Sequence, residues 1–574
     1  MKHGLRNRVI LLFWLFTGMA GLLAGRLVEL QYVEHDYYLK RANDQQLGEV
    51  ELPALRGEIR DRNGVVLATS IARWSVAVNP DALHQSRGVE EAVSLLAADT
   101  TLKENELRSI IEQDGTFGWI SRKVDDQVAR DVRKAGIKGL FLLREPSPGK
   151  RYYPKDRLAA PLLGTTGVDD QGLDGLESFY DAQLSGKPGV MRAFMDRDGW
   201  ATMEEPATLM QPAEPGHNLI LTIDEEIQFA AQEELARQVN KYDAKGGIIV
   251  VMDARNAEIL AMAVNPDFPA ADFAKVPASV RRNRCVTDPY EPGSTLKIFL
   301  GAAALDSGVK QTDRFLSGGV LMVNGWDIHN AGDELYPGAM ETLREIITHS
   351  FNVGTTSIAL HIGKEAYYKH LLAFGFGGKT GIDLAGESEG ILSPASEWAD
   401  INTATISFGQ GVACTPIQLC SAMQAIANGG VRLKPHLALA VTDSEGKVVK
   451  RATPEVLGRP VSSEVAHEML DILKNVAEKG TGKAARVPGY WVGGKTGTAQ
   501  LAENGSYASG EYIASFLGVA PVDDPRIVVL VKIERPSVQW GGVVAAPAFR
   551  RVVEKSLWRL GVVPDEKLMD LEKR

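Results

Sequence analysis

The first pattern along the chain is a long apolar run near its start. No residue between Arg8 and Arg26 is charged, and this run reaches the minimum of about 17 residues that a membrane-spanning helix needs. The chain continues past Arg26 without the small-residue cleavage site of a secretory signal, so we expect one uncleaved membrane anchor. Basic residues precede the run and acidic residues follow it, which predicts that the N-terminus is cytoplasmic and that the rest of the chain is extracytoplasmic. We expect the membrane to be the cell inner (plasma) membrane.

After the anchor, apolar runs predict a folded region of strands and helices. The runs at 246–252 and 257–263 predict an antiparallel hairpin whose first strand is buried. A helix-rich stretch follows at 294–428. Strands return at 490–500, 512–520 and 527–533. Two strands, a helical block and three more strands indicate an α+β domain in which both ends of the segment enter one sheet.

Turn and linker signals divide the chain into parts. Asn63-Gly64, between two strand-like runs, predicts a hairpin with a two-residue turn. Residues 204–216 are rich in proline and glycine and predict a linker. We therefore expect a cytoplasmic tail, membrane helix and stalk at 1–45, a separate region at 46–215, the α+β domain at 216–560 and a C-terminal tail at 561–574.

Composition narrows the class of partner. The chain has 574 residues, which is enough for more than one domain. Its formal net charge of −10 and the lack of any basic block argue against nucleic acid as a partner. The cysteines, Cys285, Cys414 and Cys420, are too few for a disulfide scaffold and have no histidine at metal-binding spacing beside them.

A candidate nucleophile stands out by its context. Ser-x-x-Lys begins at Ser147, Ser294, Ser307 and Ser444. Only Ser294-Thr-Leu-Lys297 opens an apolar, helix-forming run, so only there do the serine and the lysine share a helix face. A neutral lysine amine can activate a serine hydroxyl when burial or a nearby cation lowers its pKa. The alternative explanation of this pair is an N-cap serine followed by a surface lysine.

A second candidate motif is Ser350-Phe351-Asn352, directly after a predicted helix. A second hydroxyl can relay a proton to a leaving amine, and an amide can orient the base and bind a substrate carbonyl. The structural alternative for this motif is a helix C-cap.

Lys-Thr-Gly occurs twice. In Lys495-Thr496-Gly497-Thr498, strand alternation predicts both threonine hydroxyls on one face and Lys495 on the other. Gly497 would let a bound chain come close to the backbone. The other copy, at 379–381, lies in a glycine-rich loop and is predicted to be structural.

The stretch 489–496 also matches the phosphate-loop pattern formally. That pattern needs a strand, a loop and then a helix. Here the candidate loop carries Tyr490, Trp491 and Val492, and Gly497 follows in place of a helix start. We therefore reject a nucleotide-binding site.

The three motifs in this order resemble those of the penicillin-binding proteins and serine β-lactamases. Phe351 stands where class A β-lactamases have aspartate. This difference makes the motif more similar to that of transpeptidases. Further stretches look like class B enzymes of the division type: 56–64, 151–154, 172–177, 407–411 and 541–547. Over almost its full length the chain is identified as a member of the FtsI family of septal peptidoglycan D,D-transpeptidases.

The resemblance implies the architecture in more detail. It implies a penicillin-binding, serine β-lactamase-like transpeptidase domain at 216–560, an antiparallel sheet with a helical subdomain. It further implies that 46–215 is an elongated, non-catalytic pedestal of the class B dimerisation type, and that neither a cofactor nor a metal takes part.

The resemblance also implies catalytic roles. Ser294 would attack the penultimate D-Ala carbonyl of a peptidoglycan stem peptide and release the terminal D-Ala. Lys297 would be the base for this acylation, and Ser350 would relay the proton to the leaving group.

Substrate-binding roles follow from the same resemblance. Asn352 would help bind the peptide, while Thr496 and Thr498 would hold the substrate carboxylate near Lys495, on either side of Gly497. Backbone N–H groups of Ser294 and Thr498 would form an oxyanion hole, a device worth about 2.7–4 kcal/mol per donor.

By the same likeness, the partners are stem peptides on lipid II-derived glycan strands, β-lactam antibiotics, the membrane, an FtsW-type glycan polymerase and other divisome proteins. The sequence leaves three alternatives open: an elongation-type class B transpeptidase, a D,D-carboxypeptidase or β-lactamase, and a non-catalytic β-lactam sensor or scaffold.

Overall fold

The computed structural model describes residues 2–52, 54–71, 73–100, 102–113, 118–144, 150–194, 208–331, 336–503, 506–565 and 568. The chain divides into two compact units. The first comprises Met1–Leu55, Ala72–Gly149 and Gly186–Pro215, and the second comprises Arg56–Ile71, Lys150–Ser185 and Gly216–Arg574. Residues 46–215, predicted as a pedestal, therefore contribute to both units. Parts of the predicted linker and C-terminal tail, 204–207, 566–567 and 569–574, lie outside the described residues.

The first unit contains two three-stranded antiparallel sheets. In one, Gly189–Phe194 lies between Leu47–Leu52 and Thr208–Gln211. In the other, Trp74–Val78 lies between Gly118–Val124 and Leu140–Arg144. The helices that share a core with this second sheet are Pro80–Ser86, Val89–Asp99, Glu104–Ile111 and Asp126–Ala135.

The first unit also carries the N-terminal apolar run. Helix Lys2–Val28 continues through a π-helical turn, Glu29–Val33, and is followed by helix His35–Gln46. The segment Gly4–Val33 is long and apolar enough to cross a membrane; its most apolar stretch of 18 residues has a mean hydropathy of 1.8, and none of that stretch is buried in the protein. It is compatible with the predicted single-pass anchor.

A five-stranded antiparallel sheet organises the second unit. Its strands are β1 (Gly246–Asp253), β2 (Ile259–Asn265), β3 (Gly493–Glu503), β4 (Ser506–Ala520) and β5 (Ile527–Glu534). Their spatial order is β2-β1-β5-β4-β3. The predicted hairpin and the three returning strands thus lie in one sheet, which confirms the α+β prediction.

The long helices of this unit are α1 (Glu225–Lys241), α2 (Lys297–Asp306), α3 (Leu343–His349), α4 (Asn352–Ile362), α5 (Lys364–Phe374), α6 (Asp400–Ser407), α7 (Pro416–Ala427), α8 (Ser463–Glu478) and α9 (Ala546–Arg559). Shorter helices are Ala160–Leu163, Gly175–Phe179, Asp181–Leu184, Ala278–Arg281, Arg284–Thr287 and Gly541–Val544. Helices of the 3₁₀ type are Ala270–Lys275, Gly293–Leu296, Ala395–Glu397 and Lys483–Ala485.

Alternation along β1 explains how the helices cover the sheet. Ile248 and Val250 belong to the larger core, which includes α2, α7 and most of α8. Ile249 and Val251 belong to a second core on the other face, with α1 and α9. Because both faces are covered, every residue of β1 is buried.

A six-stranded sheet completes the second unit, in the spatial order Val448–Arg451, Ala438–Thr442, Asn218–Leu221, Ile59–Arg60, Val66–Ile71, Lys150–Tyr152. Two-stranded ladders pair Thr165–Thr166 with Gly172–Asp174, Arg314–Leu316 with Met340–Thr342, Leu321–Val323 with Trp326–Ile328, and Arg432–Leu433 with Val456–Gly458.

The hairpin predicted at Asn63-Gly64 is present, and Gly64 adopts a φ of +88°. Its connection is longer than the predicted two-residue turn, since Arg60 pairs with Val66. The carboxylate of Asp61 accepts hydrogen bonds of 2.8 Å from the backbone N–H groups of Asn63 and Val65. This side chain therefore organises the wider loop.

Three of the sequence stretches that carry the family resemblance meet in one buried ion cluster. Glu177 accepts hydrogen bonds from Arg56 Nε at 2.8 Å and from Arg151 Nε at 2.7 Å. The three side chains are at most 3% exposed. This cluster joins the segments 56–64, 151–154 and 172–177 within the second unit.

The remaining motifs have structural roles or none. The first Lys-Thr-Gly copy lies in a loop, in which Thr380 and Gly381 donate hydrogen bonds to the carboxylate of Glu387. Ser307 ends helix α2, and the Ser147 motif begins outside the described residues. The cysteines, Cys285, Cys414 and Cys420, are all buried and unbridged.

Candidate active site

Ser294 and Lys297 lie at the start of helix α2. Ser294 is in the 3₁₀ turn Gly293–Leu296, and Lys297 is the first residue of α2. Because a 3₁₀ turn has three residues per turn, it places the two side chains above each other, which gives the shared face that the sequence predicted. Gly293 has a φ of +56°, and a Cβ there would lie 2.9 Å from Thr498 O.

Lys297 is fully buried. Its Nζ donates to Ser350 O and to Asn352 Oδ1, both at 2.7 Å, and lies 3.3 Å from Ser350 Oγ. Burial lowers the pKa of Lys297 well below its ordinary value, and the positive charge of Lys495 lowers it further. A neutral amine has two N–H donors, which the two short contacts use, so its lone pair is left to accept a proton.

Ser350 lies at the joint between helices α3 and α4. It is the C-cap of α3 and has a φ of +68°, which is uncommon for a residue with a side chain. Phe351 is buried and stacks on His349, with ring centroids 5.7 Å apart. The motif is therefore both the helix cap that the sequence allowed and the source of a hydroxyl beside Lys297.

Asn352 begins α4, and both the oxygen and the nitrogen of its side-chain amide are hydrogen-bonded. Its Oδ1 accepts from Lys297, and its Nδ2 donates to His329 O at 3.0 Å. These two contacts fix the orientation of the amide. One N–H of Nδ2 is then left to face the cleft that Asn352 lines.

Strand β3 supplies Lys495, Thr496 and Thr498. Lys495 is fully buried, and burial lowers its pKa to about 7. Its side chain starts on the other face, but Nζ reaches back to within 3.5 Å of Thr496 Oγ1. The ammonium is therefore on the threonine side, where strand alternation alone did not place it. Thr496 Oγ1 also lies 2.8 Å from Thr481 Oγ1.

Close packing around position 497 requires glycine there, which the sequence analysis did not predict. A Cβ at this position would lie 2.2 Å from Ser515 Oγ and 3.0 Å from Pro292 O. Only a residue without a side chain lets the 3₁₀ turn Gly293–Leu296, here called the nucleophile turn because it carries Ser294, approach β3 so closely.

These side chains border one cleft of about 690 Å³. Ser294, Ser350, Asn352, Thr496 and Thr498 line it, and the two buried lysines lie behind it. Other lining residues come from distant parts of the chain and were missed by the sequence analysis: His349, Phe408, Gln410, Thr481, Tyr512, Gln539 and Trp540. Of these, Phe408 and Gln410 had a signal in the sequence, because the stretch 407–411 was already part of the resemblance.

The arrangement defines a class of site. A serine in a cleft, a buried amine of lowered pKa, a second hydroxyl and a threonine-bearing strand suit nucleophilic acyl transfer through serine. The fold around it is an antiparallel sheet with helices on both faces.

Comparison with known proteins gives the family. Residues 247–554 match the penicillin-binding protein transpeptidase domain, and residues 51–221 match the penicillin-binding protein dimerisation domain. The chain belongs to the class B penicillin-binding proteins and is an enzyme of the D,D-transpeptidase type.

Two relatives illustrate the similarity. The chain is 36% identical to stage V sporulation protein D of Bacillus subtilis, over 96% of this chain and 86% of that one. It is 31% identical to the peptidoglycan D,D-transpeptidase FtsI of Escherichia coli, over 96% of this chain and 93% of that one.

A solved structure is similar over most of the chain. The structure of penicillin-binding protein 3 from Mycobacterium tuberculosis, complexed with aztreonam, has a TM-score of 0.69 and 28% identity. The similarity covers 90% of this chain and 99% of that one.

Proposed function

We propose that the protein cross-links peptidoglycan stem peptides at the division septum through an acyl-enzyme on Ser294. The observation that carries the proposal is the buried amine of Lys297, held at 2.7 Å by Ser350 O and Asn352 Oδ1 behind the cleft that Ser294 lines. Neither a cofactor nor a metal enters the mechanism.

Acylation begins with proton transfer. The neutral amine of Lys297 takes the proton of Ser294, whose Oγ attacks the penultimate D-Ala carbonyl. The C–N bond to the terminal D-Ala breaks, and the leaving amine receives a proton relayed through Ser350. The product is an ester between the stem peptide and Ser294, and free D-Ala departs.

Strand β3 holds the substrate during this step. The hydroxyls of Thr496 and Thr498 bind the terminal carboxylate, and Lys495 supplies positive charge beside Thr496. Asn352 donates its remaining N–H to a peptide carbonyl. The backbone N–H groups of Ser294 and Thr498 stabilise the oxyanion, in a region where Gly293 and Gly497 allow close backbone packing.

Transfer completes the cross-link. An amine of a neighbouring stem peptide attacks the ester carbonyl, the C–O bond to Ser294 breaks, and the serine regains a proton. The new bond is an amide between two strands. A β-lactam mimics the D-Ala-D-Ala end and stops at the ester stage.

The cellular setting follows from the anchor and the family. The N-terminus is cytoplasmic, the segment Gly4–Val33 crosses the inner membrane, and the catalytic unit is extracytoplasmic. Glycan strands come from an FtsW-type polymerase, which contacts the membrane helix and the first unit together with other divisome proteins.

The chemistry is tested with penicillin and the full chain in detergent. Intact mass should show an adduct on Ser294 that persists for hours and is absent from Ser294→Ala. Loss of the adduct within seconds would indicate a hydrolase instead, and absence of any adduct would contradict the serine mechanism.

The septal role is tested separately, by localisation of a tagged full chain in the cells it comes from. Accumulation at the septum supports the proposal. A lateral-wall signal would indicate an elongation-type enzyme. A signal confined to sporulating cells would match the name of the Bacillus relative and contradict the division role.

A further inference from the structure

The cleft has an exposed cation that the proposed mechanism does not use. Among the described residues that line the cleft, none is aspartate or glutamate, and Lys483 is the single lysine or arginine. Its side chain is exposed and forms no ion pair or side-chain hydrogen bond with the part of the chain that the structure describes. Glu478, the acidic residue nearest to it along the chain, pairs with Arg486 instead, at 3.5 Å. The ammonium of Lys483 can therefore bind an anion that enters the cleft.

The backbone that carries Lys483 is held in place. Lys483 is the first residue of a 3₁₀ helix that ends at Ala485. Just before it, Gly482 N–H donates to Val476 O at 3.0 Å, and just after it, Arg486 N–H donates to Lys483 O at 3.3 Å. Ala485 is fully buried in the core that contains helix α9. A flexible side chain is thus presented to the cleft from a fixed position.

The segment that leads to Lys483 contacts the end of the cleft where the proposed mechanism binds the terminal carboxylate. Thr481, two residues before Lys483, has its Oγ1 2.8 Å from Thr496 Oγ1. A Cβ on Gly542 would lie 2.7 Å from Thr481 O and 3.6 Å from Thr496 Cγ2, so these residues pack closely. Two residues of chain span at most about 7 Å, and a lysine adds a flexible four-carbon stem. The ammonium of Lys483 can therefore reach a carboxylate that is bound to Thr496.

The buried lysine of strand β3 supplies only part of the charge that such a carboxylate needs. Lys495 does not line the cleft, and its Nζ lies 3.5 Å from Thr496 Oγ1. Burial lowers the pKa of Lys495 to about 7, so at neutral pH about half of the molecules carry the charge. A carboxylate in the cleft is therefore stabilised by a second cation that stays in contact with water.

We infer that Lys483 is a substrate-binding residue whose ammonium pairs with the terminal carboxylate of the donor stem peptide, or with the equivalent carboxylate of a β-lactam. The inference rests on the proposed function, which places that carboxylate at Thr496 and Thr498. It adds an ionic contact from a second segment of the chain to the contacts made by strand β3.

The test is the second-order rate constant for acylation of the full chain in detergent by benzylpenicillin, at low and at high salt. The carboxylate is the sole charged group of this penicillin at neutral pH, so an ionic contact with the ligand must involve it. Lys483→Met should lower the rate constant about fivefold at low salt, the scale of an exposed ion pair. At high salt the loss should be much smaller, because salt screens the pair.

Two further variants complete the test. Lys483→Arg keeps the positive charge and should keep most of the rate. Lys479→Met is the matched control, because Lys479 is exposed in the same segment and does not line the cleft. It should leave the rate constant unchanged at both salt concentrations.

The outcomes separate this inference from the proposed function. A change of less than about twofold in Lys483→Met would mean that no contact forms, and an equal loss at low and high salt would indicate a displaced cleft without an ionic contact. An equal loss in Lys479→Met would reflect the net charge of the chain. Each of these results would overturn the inference and leave acylation of the unaltered chain intact. Absence of acylation in the unaltered chain would instead contradict the proposed function, and the inference with it.

Discussion

Replacement of Asn352 by aspartate tests whether Lys297 is the base. Asn352 Oδ1 lies 2.7 Å from Lys297 Nζ. Asn352→Asp keeps the shape of the side chain and places a carboxylate oxygen at that distance. The carboxylate stabilises the ammonium form of Lys297, which cannot accept a proton from Ser294.

The magnitude follows from the distance. Two unit charges 2.7 Å apart attract by about 6 kcal/mol at an effective dielectric constant of about 20. Each 1.4 kcal/mol, approximately, is a factor of ten in an equilibrium. The fraction of Lys297 that is neutral at neutral pH should therefore fall at least about a hundredfold, and acylation should fall with it.

The assay is the second-order rate constant of penicillin acylation as a function of pH. For Asn352→Asp we expect a rate that is very low at neutral pH and rises steeply toward alkaline pH. Asn352→Ala is the control, because it removes the same proposed substrate contact and adds no charge. It should lower the rate and leave the shape of the pH profile close to that of the unaltered chain.

The comparison of the two variants decides the result. If Asn352→Asp and Asn352→Ala have pH profiles of the same shape, the protonation state of Lys297 does not control acylation. Lys297 would then hold Ser350 and Asn352 in place without acting as the base, and the proposed mechanism would have to be abandoned.

Three further predictions concern packing and buried charge. Glu177→Gln leaves buried Arg151 without its carboxylate and Arg56 with Asp181 alone, so it should lower the free energy of unfolding by about 3–5 kcal/mol in urea denaturation, whereas the exposed control Glu90→Gln should leave it nearly unchanged. Gly497→Ala places a Cβ 2.2 Å from Ser515 Oγ, so penicillin acylation should slow by more than about tenfold without a change in the pH profile; an unchanged rate would contradict the packing argument. Burial lowers the pKa of Lys495 from 10.5 to about 7, so the unfolded chain binds the extra proton between these pH values. Stability should therefore rise with pH across this window by up to roughly 5 kcal/mol, and a rise of the same size in Lys495→Met would refute the assignment.

The sequence could predict the elements and the chemistry because both depend on local patterns. Apolar runs located all five strands of the central sheet, and three short motifs identified the side chains that meet in the cleft. Only the helix-forming context distinguished Ser294 from three other serines with the same spacing. That distinction is local too, since it depends on helix breakers within about four residues.

The rest could not be predicted because it depends on contacts between distant segments. Thr481 and Trp540 line the cleft beside Thr496 and Thr498, yet no motif connects them. The left-handed conformation of Ser350 is imposed by the junction of two helices. The position of the Lys495 ammonium depends on a flexible side chain that turns back around its strand, which strand periodicity does not describe.

The chemistry of the site also divides into a part that depends on motif side chains and a part that depends on packing between distant segments. In the proposed mechanism, side chains set the path of the proton, through Lys297 and Ser350. Backbone packing sets the position of the N–H groups proposed as oxyanion donors, and glycines make that packing possible. Gly293 N–H donates to Gly409 O at 3.1 Å, and a Cβ on Gly409 would lie 2.0 Å from Gly293 O. Because a side chain at either glycine would push the nucleophile turn away from its neighbours, the geometry of acyl transfer depends on residues that take no part in proton transfer.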